Sequence, residues 1–222
     1  HGSMTSYFGY DPDGLLHSVY EQFLHQGQVP EGLAAQLLLP TSHEKISLLP
    51  ATTALATLER QAPGQSGLGL VIARSLAQLW QDYDYAIIDS PPILGVLMVN
   101  ALAASQQLII PVQTEHLALK GLERMVHTLR MINRSRPQEL PFCIVPTLFD
   151  RRTQASMSTL RVLRDVYPDT LWQGFIPVDT RLRDASRAGQ TPSQFDDKTR
   201  GVIAYRALLK HVLTRQLAPQ VA

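Results

Sequence analysis

The stretch Tyr83-Asp84-Tyr85-Ala86-Ile87-Ile88-Asp89-Ser90-Pro91-Pro92 decides how this chain folds. A short run rich in Ile, closed by Asp and two prolines, reads as a strand buried on both faces that ends in a turn. A carboxylate fixed at a strand tip suits a hard cation such as magnesium beside nucleotide phosphates, because such an ion takes oxygen ligands. Asp89 is therefore the candidate metal residue. The competing role for an aspartate at this point is to cap the following turn.

Working outward, four more apolar runs have the same character: 46–49, 108–112, 143–145 continuing to Phe149, and 174–178. Amphipathic stripes lie between them. Leu68, Ile72, Leu76 and Leu79 share one helical face, and Leu119, Leu122, Val126, Leu129 and Ile132 share another. Two further helices are expected over 159–167 (Leu160, Leu163, Val166) and 202–217 (Leu208, Leu209, Val212, Leu213). Strands alternating with helices imply βαβ crossovers. The expected fold is α/β, a doubly wound, mainly parallel sheet flanked by helices. Ligands of such sheets sit at the carboxyl ends of strands, which directs attention to the loops after Ile88, Val112, Phe149 and Val178.

At 222 residues without a linker or repeat, the chain is expected to form a single domain over 1–222. No run is long and apolar enough to span a bilayer, and no export signal is present, so a cytoplasmic setting is expected. The one cysteine, Cys143, falls inside an apolar run and reads as a buried structural thiol. The net charge of +1 hides a polarity: residues 1–150 hold 8 Lys/Arg and 13 Asp/Glu (8 − 13 = −5), and residues 151–222 hold 12 and 6 (12 − 6 = +6). A polyanion partner is therefore sought in the basic part, against the alternative of an Arg-rich solvated surface. His17, His25, His43, His116, His127 and His211 lack metal-ligand spacing, and no catalytic residue is assigned.

The run into Gly95 and Asn100-Ala101-Leu102 continues through Ile110-Pro111-Val112-Gln113, Glu115 and Leu119-Lys120-Gly121-Leu122. Beyond these come Asp150-Arg151-Arg152-Thr153, Ile176-Pro177-Val178-Asp179-Thr180-Arg181-Leu182, Ala185, Gly189 and the stretch from Asp196 to Gly201 with Ala204-Tyr205-Arg206. In order and spacing this series resembles the ParA/MinD-type partition ATPases, of P-loop NTPase fold, over nearly the whole chain. Residues 46–50 with Leu55 and Glu59 resemble the family's earlier strand and helix.

The resemblance implies ATP and Mg2+ as cofactors, with Asp89 at the magnesium side. It places Pro177 and Asp179 where the loop after the last strand brackets adenine, and Leu148 where the preceding strand's loop covers the base. Asp179 stands where the family commonly has Asn, and an N-cap for the next helix is its other role. Arg152 and Arg181 match arginines that bind DNA non-specifically in chromosomal members, a role suited to guanidinium forks on phosphate oxygens. Val178 replaces a commonly basic position, while Arg183, Arg187 and Arg200 could extend the surface.

A P-loop switch needs a glycine-rich loop ending in Lys-Ser/Thr, whose backbone donors and lysine hold the phosphates. These 222 residues contain none. Gly64-Gln65-Ser66-Gly67-Leu68-Gly69 has no Lys and no preceding strand. His1-Gly2-Ser3-Met4-Thr5 is similar to the residues after Asp-Pro in the family's Asp-Pro-Gln-Gly-Asn motif, unless His1-Gly2-Ser3 was left by cloning before Met4. The expectation is a domain whose N-terminal βαβ unit, P-loop included, is absent, with weak ATP binding and an apolar sheet edge prone to self-association.

The resemblance implies an ATP-switched homodimer that partitions DNA or positions a division, chemotaxis or flagellar cargo, through non-specific DNA and a ParB-like or cargo adaptor protein. The alternative is a non-enzymatic ParA-like dimerisation module. An unrelated doubly wound enzyme would need a nucleophile and base that no motif supplies.

Overall fold

A polar turn brings Leu39–Pro40 (β1) back against Ser47–Leu48 (β2) as an antiparallel pair, with the Thr41 hydroxyl donating across it to the carbonyls of His43 and Ile46. The computed structural model describes residues 2–61, 67–93 and 95–217. Gly64, Gln65 and Ser66 of the glycine-rich stretch lie outside them, as does His1. The chain divides into two compact units, His1–Ser105 with Ser186–Thr191, and Gln106–Ala185 with Pro192–Ala222.

In the first unit the helices Ala54–Gln61, Val71–Gln78 and Val96–Ala104 surround a core containing Val19, Phe23, Leu58, Leu68 and Val71. Burying an amide in such a core is tolerable only when it is bonded. Fully buried Asn100 meets that condition. Its Nδ2 donates to the carbonyls of Leu68 (2.6 Å) and Val96 (2.9 Å), and its Oδ1 accepts from the N–H of Ile72 (3.1 Å). Glu59 accepts from the N–H of Leu97, one of the free donors at a helix start, and leaves no room for a Cβ at Gly95.

Two of the five expected strands, both in this unit, turn out differently, and a third, 174–178, is irregular, with only Pro177 in a bridge. The run 46–49 is strand only at β2, and it pairs with its own upstream neighbour because closing a short loop loses less entropy than recruiting a distant strand. The run 86–88 is not a strand, and Ile87 is 88% exposed. An apolar run becomes a strand only where another edge takes up its N–H and C=O groups, and no described residue does so for 86–88.

The second unit carries the parallel sheet. Leu108–Gln113 (β3) and Phe142–Thr147 (β4) pair in parallel from Leu108↔Phe142 to Gln113↔Thr147, joined by the helix His116–Ser135 as a βαβ crossover. The helix buries Leu122, Val126 and Leu129 from the expected stripe. It packs against β3 and the next helix, Gln154–Val166, whose Thr153 side chain caps the N–H of Ser156. Cys143 is fully buried, as its apolar run predicted. With Val145 it meets Trp172, Ile176 and Leu208, and Ala204 and Val212 pack against the same cluster from the helix Arg200–Leu217.

The stretch 171–178 runs parallel to the other edge of β4. Trp172 donates to Ile144 O (2.9 Å), Ile176 to Pro146 O (2.8 Å), and Val178 to Phe149 O (3.1 Å). The bridges Ile144↔Leu171 and Phe149↔Pro177 leave one more residue on this strand than on β4 between them. Pro146 explains the bulge, since it offers no N–H to this neighbour. Gly174 sits in the bulge, where a Cβ would stand 2.7 Å from Cε2 of the buried Trp172 indole. Gly174→Ala is expected to lower unfolding stability by about 1–3 kcal/mol, the range for overpacking a closed site, read as a shift of the urea midpoint.

Candidate functional site

The rim of the second unit is built where β4 leaves the sheet. Leu148 has φ 51°, a left-handed conformation that a non-glycine residue adopts at an energetic cost. Its effect is visible in the ladder. Pro146 O accepts from Ile176, and three residues later Phe149 N donates to Ile176 O (3.0 Å), so the turn at Leu148 shifts the alternation by one residue. Phe149 is thereby buried against Phe175, ring centroids 4.2 Å apart, while Leu148 stays 45% exposed on the rim. Beneath it the Thr114 hydroxyl lies 3.0 Å from that of Ser156 and 3.4 Å from the Leu148 carbonyl. A strained leucine where glycine would fit more easily points to a role for its side chain.

Pro177 bridges Phe149, which sets the loop 177–179 beside Leu148. Two residues on, Asp179 spends both carboxylate oxygens on backbone donors. Oδ1 accepts from the N–H of Arg181 (3.0 Å), opening the helix Arg181–Arg187, and Oδ2 accepts from the N–H of Gly201 (2.8 Å), in the first turn of Arg200–Leu217. The capping role read from the sequence is thus realised twice. An ideal Cβ on Gly201 would lie 3.0 Å from the Leu182 side chain, so these helices approach closely there. Asp179→Ala is expected to lose about 1–2 kcal/mol of unfolding stability, the usual range for a removed cap. Asp179→Asn, with one acceptor oxygen for two N–H groups, should fall between wild type and alanine in the same denaturation.

Both candidate arginines stand on this unit, and both are already paired. Arg152 Nε and Nη2 fork onto Asp150 at 2.9 and 2.7 Å, and the Arg152 N–H also donates to Asp150 Oδ1 (3.0 Å). That hydrogen-bonded guanidinium holds the Asp150 carboxyl down at about 2, and the same contact raises Arg152. Arg181 pairs with Asp196 at 3.2 Å, lies 3.9 Å from Asp184, and packs its guanidinium over Phe195 at 5.1 Å. The Lys198 N–H, then the Arg181 guanidinium, lower Asp196.

NMR of carboxyl carbons should find Asp150 ionising near 2, and returning toward 3.8 in Arg152→Ala. Because the folded value lies below the unfolded one, this pair stabilises the fold above about pH 3.8. The contribution is lost as pH falls through about 2.

Asp89, in the first unit, is exposed within the segment 85–90, which has no regular secondary structure. Among the described residues its carboxylate has no bonded partner, and no group of three or more His, Cys, Asp or Glu converges. One exposed carboxylate fits magnesium, which keeps waters and takes the rest of its shell from phosphates.

Sequence reasoning assigns no role to Asp150, although Asp-x-Arg is a turn spacing that predicts such a bond. The stretch from Asp196 to Gly201 is legible as a motif, but its bonds to Arg181 and Asp179 are not, and the Phe149–Phe175 pair left no local signal.

A family profile described as AAA domain matches residues 2–142. The sporulation initiation inhibitor protein Soj of Bacillus subtilis is 31% identical over 95% of this chain and 82% of its own length. The chromosome partitioning protein ParA of Myxococcus xanthus is 30% identical over 96% of the chain and 74% of its own. Among solved structures, cobyrinic acid a,c-diamide synthase from Mycobacterium smegmatis with bound ADP and magnesium aligns with a TM-score of 0.79 at 31% identity, covering 99% of this chain and 80% of that one. McdA of Cyanothece in its ATP complex aligns with a TM-score of 0.79 at 17% identity, over 95% and 80%, which speaks for the fold alone.

Proposed function

The chain belongs to the ParA/MinD-type partition ATPase family, and from that premise we propose that it is the base-binding and partner-binding body of a nucleotide-switched positioning protein. The observation that carries the reading is the rim where Leu148 meets the loop 177–179, because the alternation shift at Leu148 turns an apolar side chain outward beside Pro177. On this reading Leu148 and Pro177 sandwich an adenine, and Asp179 holds the loop rigid beneath it. Asp89 supplies a carboxylate to magnesium or its water shell. When bound, ATP would contribute the phosphoanhydride whose hydrolysis resets the switch, and Leu148 and Pro177 would orient its base.

No glycine-rich loop ending in Lys-Ser/Thr occurs in these 222 residues, since Lys198-Thr199 follows two aspartates, so these residues lack the donors that grip the phosphates and hold ATP weakly. The alternative reading is a dimerisation module without ATPase activity. In the switch, ATP favours a homodimer in the cytoplasm. Arg152 and Arg181 then contact phosphates of non-specific DNA, and a ParB-like or cargo adaptor protein engages the dimer. The described helices include none long and apolar enough to cross a membrane.

Thermal-shift titration with Mg–ATP is expected to give no resolvable stabilisation of the 222-residue chain, and DNA binding by a parent carrying a phosphate-binding loop is expected to require ATP. In that parent Arg152→Ala and Arg181→Ala should each weaken DNA binding and lower its salt slope, by less than about 1. DNA binding indifferent to ATP, with a normal adaptor interaction, would favour the module over the switch.

A further inference from the structure

Three arginines of the second unit pair with carboxylates of their own chain. Arg152 is forked by Asp150, Arg181 by Asp196 with Asp184 nearby, and Arg206 reaches Asp197 at 3.4 Å. The first two pairs adjoin. Arg200 acts electrostatically on Asp150, and its neighbour Gly201 donates to Asp179, whose other oxygen begins the helix of Arg181. Arg152, Arg200 and Arg181 are thus linked through Asp150 and Asp179, within the part of the chain that holds 12 Lys/Arg and 6 Asp/Glu.

Each pair is exposed: Arg152 is 82% accessible and Arg181 51%. Exposed pairs contribute little to stability. Their effect on an incoming polyanion is larger, since each carboxylate cancels a charge that would release a counterion and repels any phosphate approaching the outer edge of the guanidinium. Nε and one Nη2 proton of Arg152 face Asp150, so Nη1 and the remaining Nη2 proton stay available on the open edge. Guanidinium planes presented in this way fit the spaced oxygens of a phosphodiester backbone better than ammonium groups would.

We propose that Asp150 and Asp196 are a built-in brake on duplex-DNA binding: by occupying Arg152 and Arg181 they lower the affinity of this face and flatten its salt dependence. The proposal rests on the DNA-binding reading above and adds the residues that tune it. It makes DNA affinity a property of the arginine–carboxylate balance rather than of the arginine count, and it assigns specificity against isolated phosphate, which cannot offset two retained carboxylates as a phosphate array can.

The test uses the parent that carries a phosphate-binding loop, with Mg–ATP and a random-sequence duplex titrated at several salt concentrations. Asp150→Asn and Asp196→Asn are each expected to tighten binding about two- to fivefold, the equivalent of a surface pair, and to steepen the salt slope by up to about 1. Asp150→Ser, which retains an acceptor for the Arg152 N–H, should behave as Asp150→Asn does and guards against a folding defect. If wild type binds DNA and these variants bind equally or more weakly, the brake is overturned while the DNA reading stands. Binding of duplex by neither wild type nor variants overturns both. Tighter binding of the variants to anionic phosphatidylglycerol vesicles, without any gain on DNA, overturns the assignment of DNA as the partner.

Discussion

One carboxylate joins three segments of the second unit. The oxygens of Asp179 are spent on N–H groups that begin two different helices, Arg181–Arg187 and Arg200–Leu217, and its own backbone ends the strand-like run beside Phe149. Helix starts carry unsatisfied donors and a partial positive charge, so an anion that serves two of them fixes their directions together. Leu182 and Gly201 then approach closely enough that a methyl group would crowd the contact. The position of Arg181 on the surface, and of Arg200 near Asp150, follows from that arrangement.

Proline placement shapes the rest of this unit. Pro146 denies the neighbouring strand a donor, the strand answers with a bulge at Gly174, and the left-handed turn at Leu148 restores the pairing at Phe149. Pro111 acts on β3. Because Leu108 and Thr114 direct their N–H groups toward β4, the intervening odd position 111 faces away, and a proline there removes a donor from the edge β4 does not cover. Such an edge pairs less readily with stray strands. The exposed Pro111 and the buried Pro146 thus act oppositely: one limits pairing outward, and the other creates the irregularity from which the rim is made.

The electrostatics of the basic region differ from what its composition suggests. Twelve cations against six anions read as an open polyanion surface, yet the arginines nearest the rim are engaged by aspartates two to fifteen residues away in sequence. The charge excess remains, but it is distributed as pairs plus unpaired neighbours. Belonging to a family of partition ATPases makes such pairing functionally relevant, since a positioning protein must bind reversibly.

By itself the sequence determined the parallel βαβ at 108–147, the amphipathic helices, the buried thiol of Cys143 and the family, because each is written locally, in hydrophobic periodicity or in an ordered series of motifs. It also placed Leu148, Pro177 and Asp179 on candidate loops. Only the tertiary structure decided that 46–49 folds into a hairpin and that 86–88 finds no ladder among the described residues, because strand formation depends on the edge opposite and not on the run itself. It likewise decided that Asp179 clips two helices and that Asp196 holds Arg181. Those bonds join residues fifteen to twenty-two positions apart, a separation at which neither spacing nor residue type predicts contact.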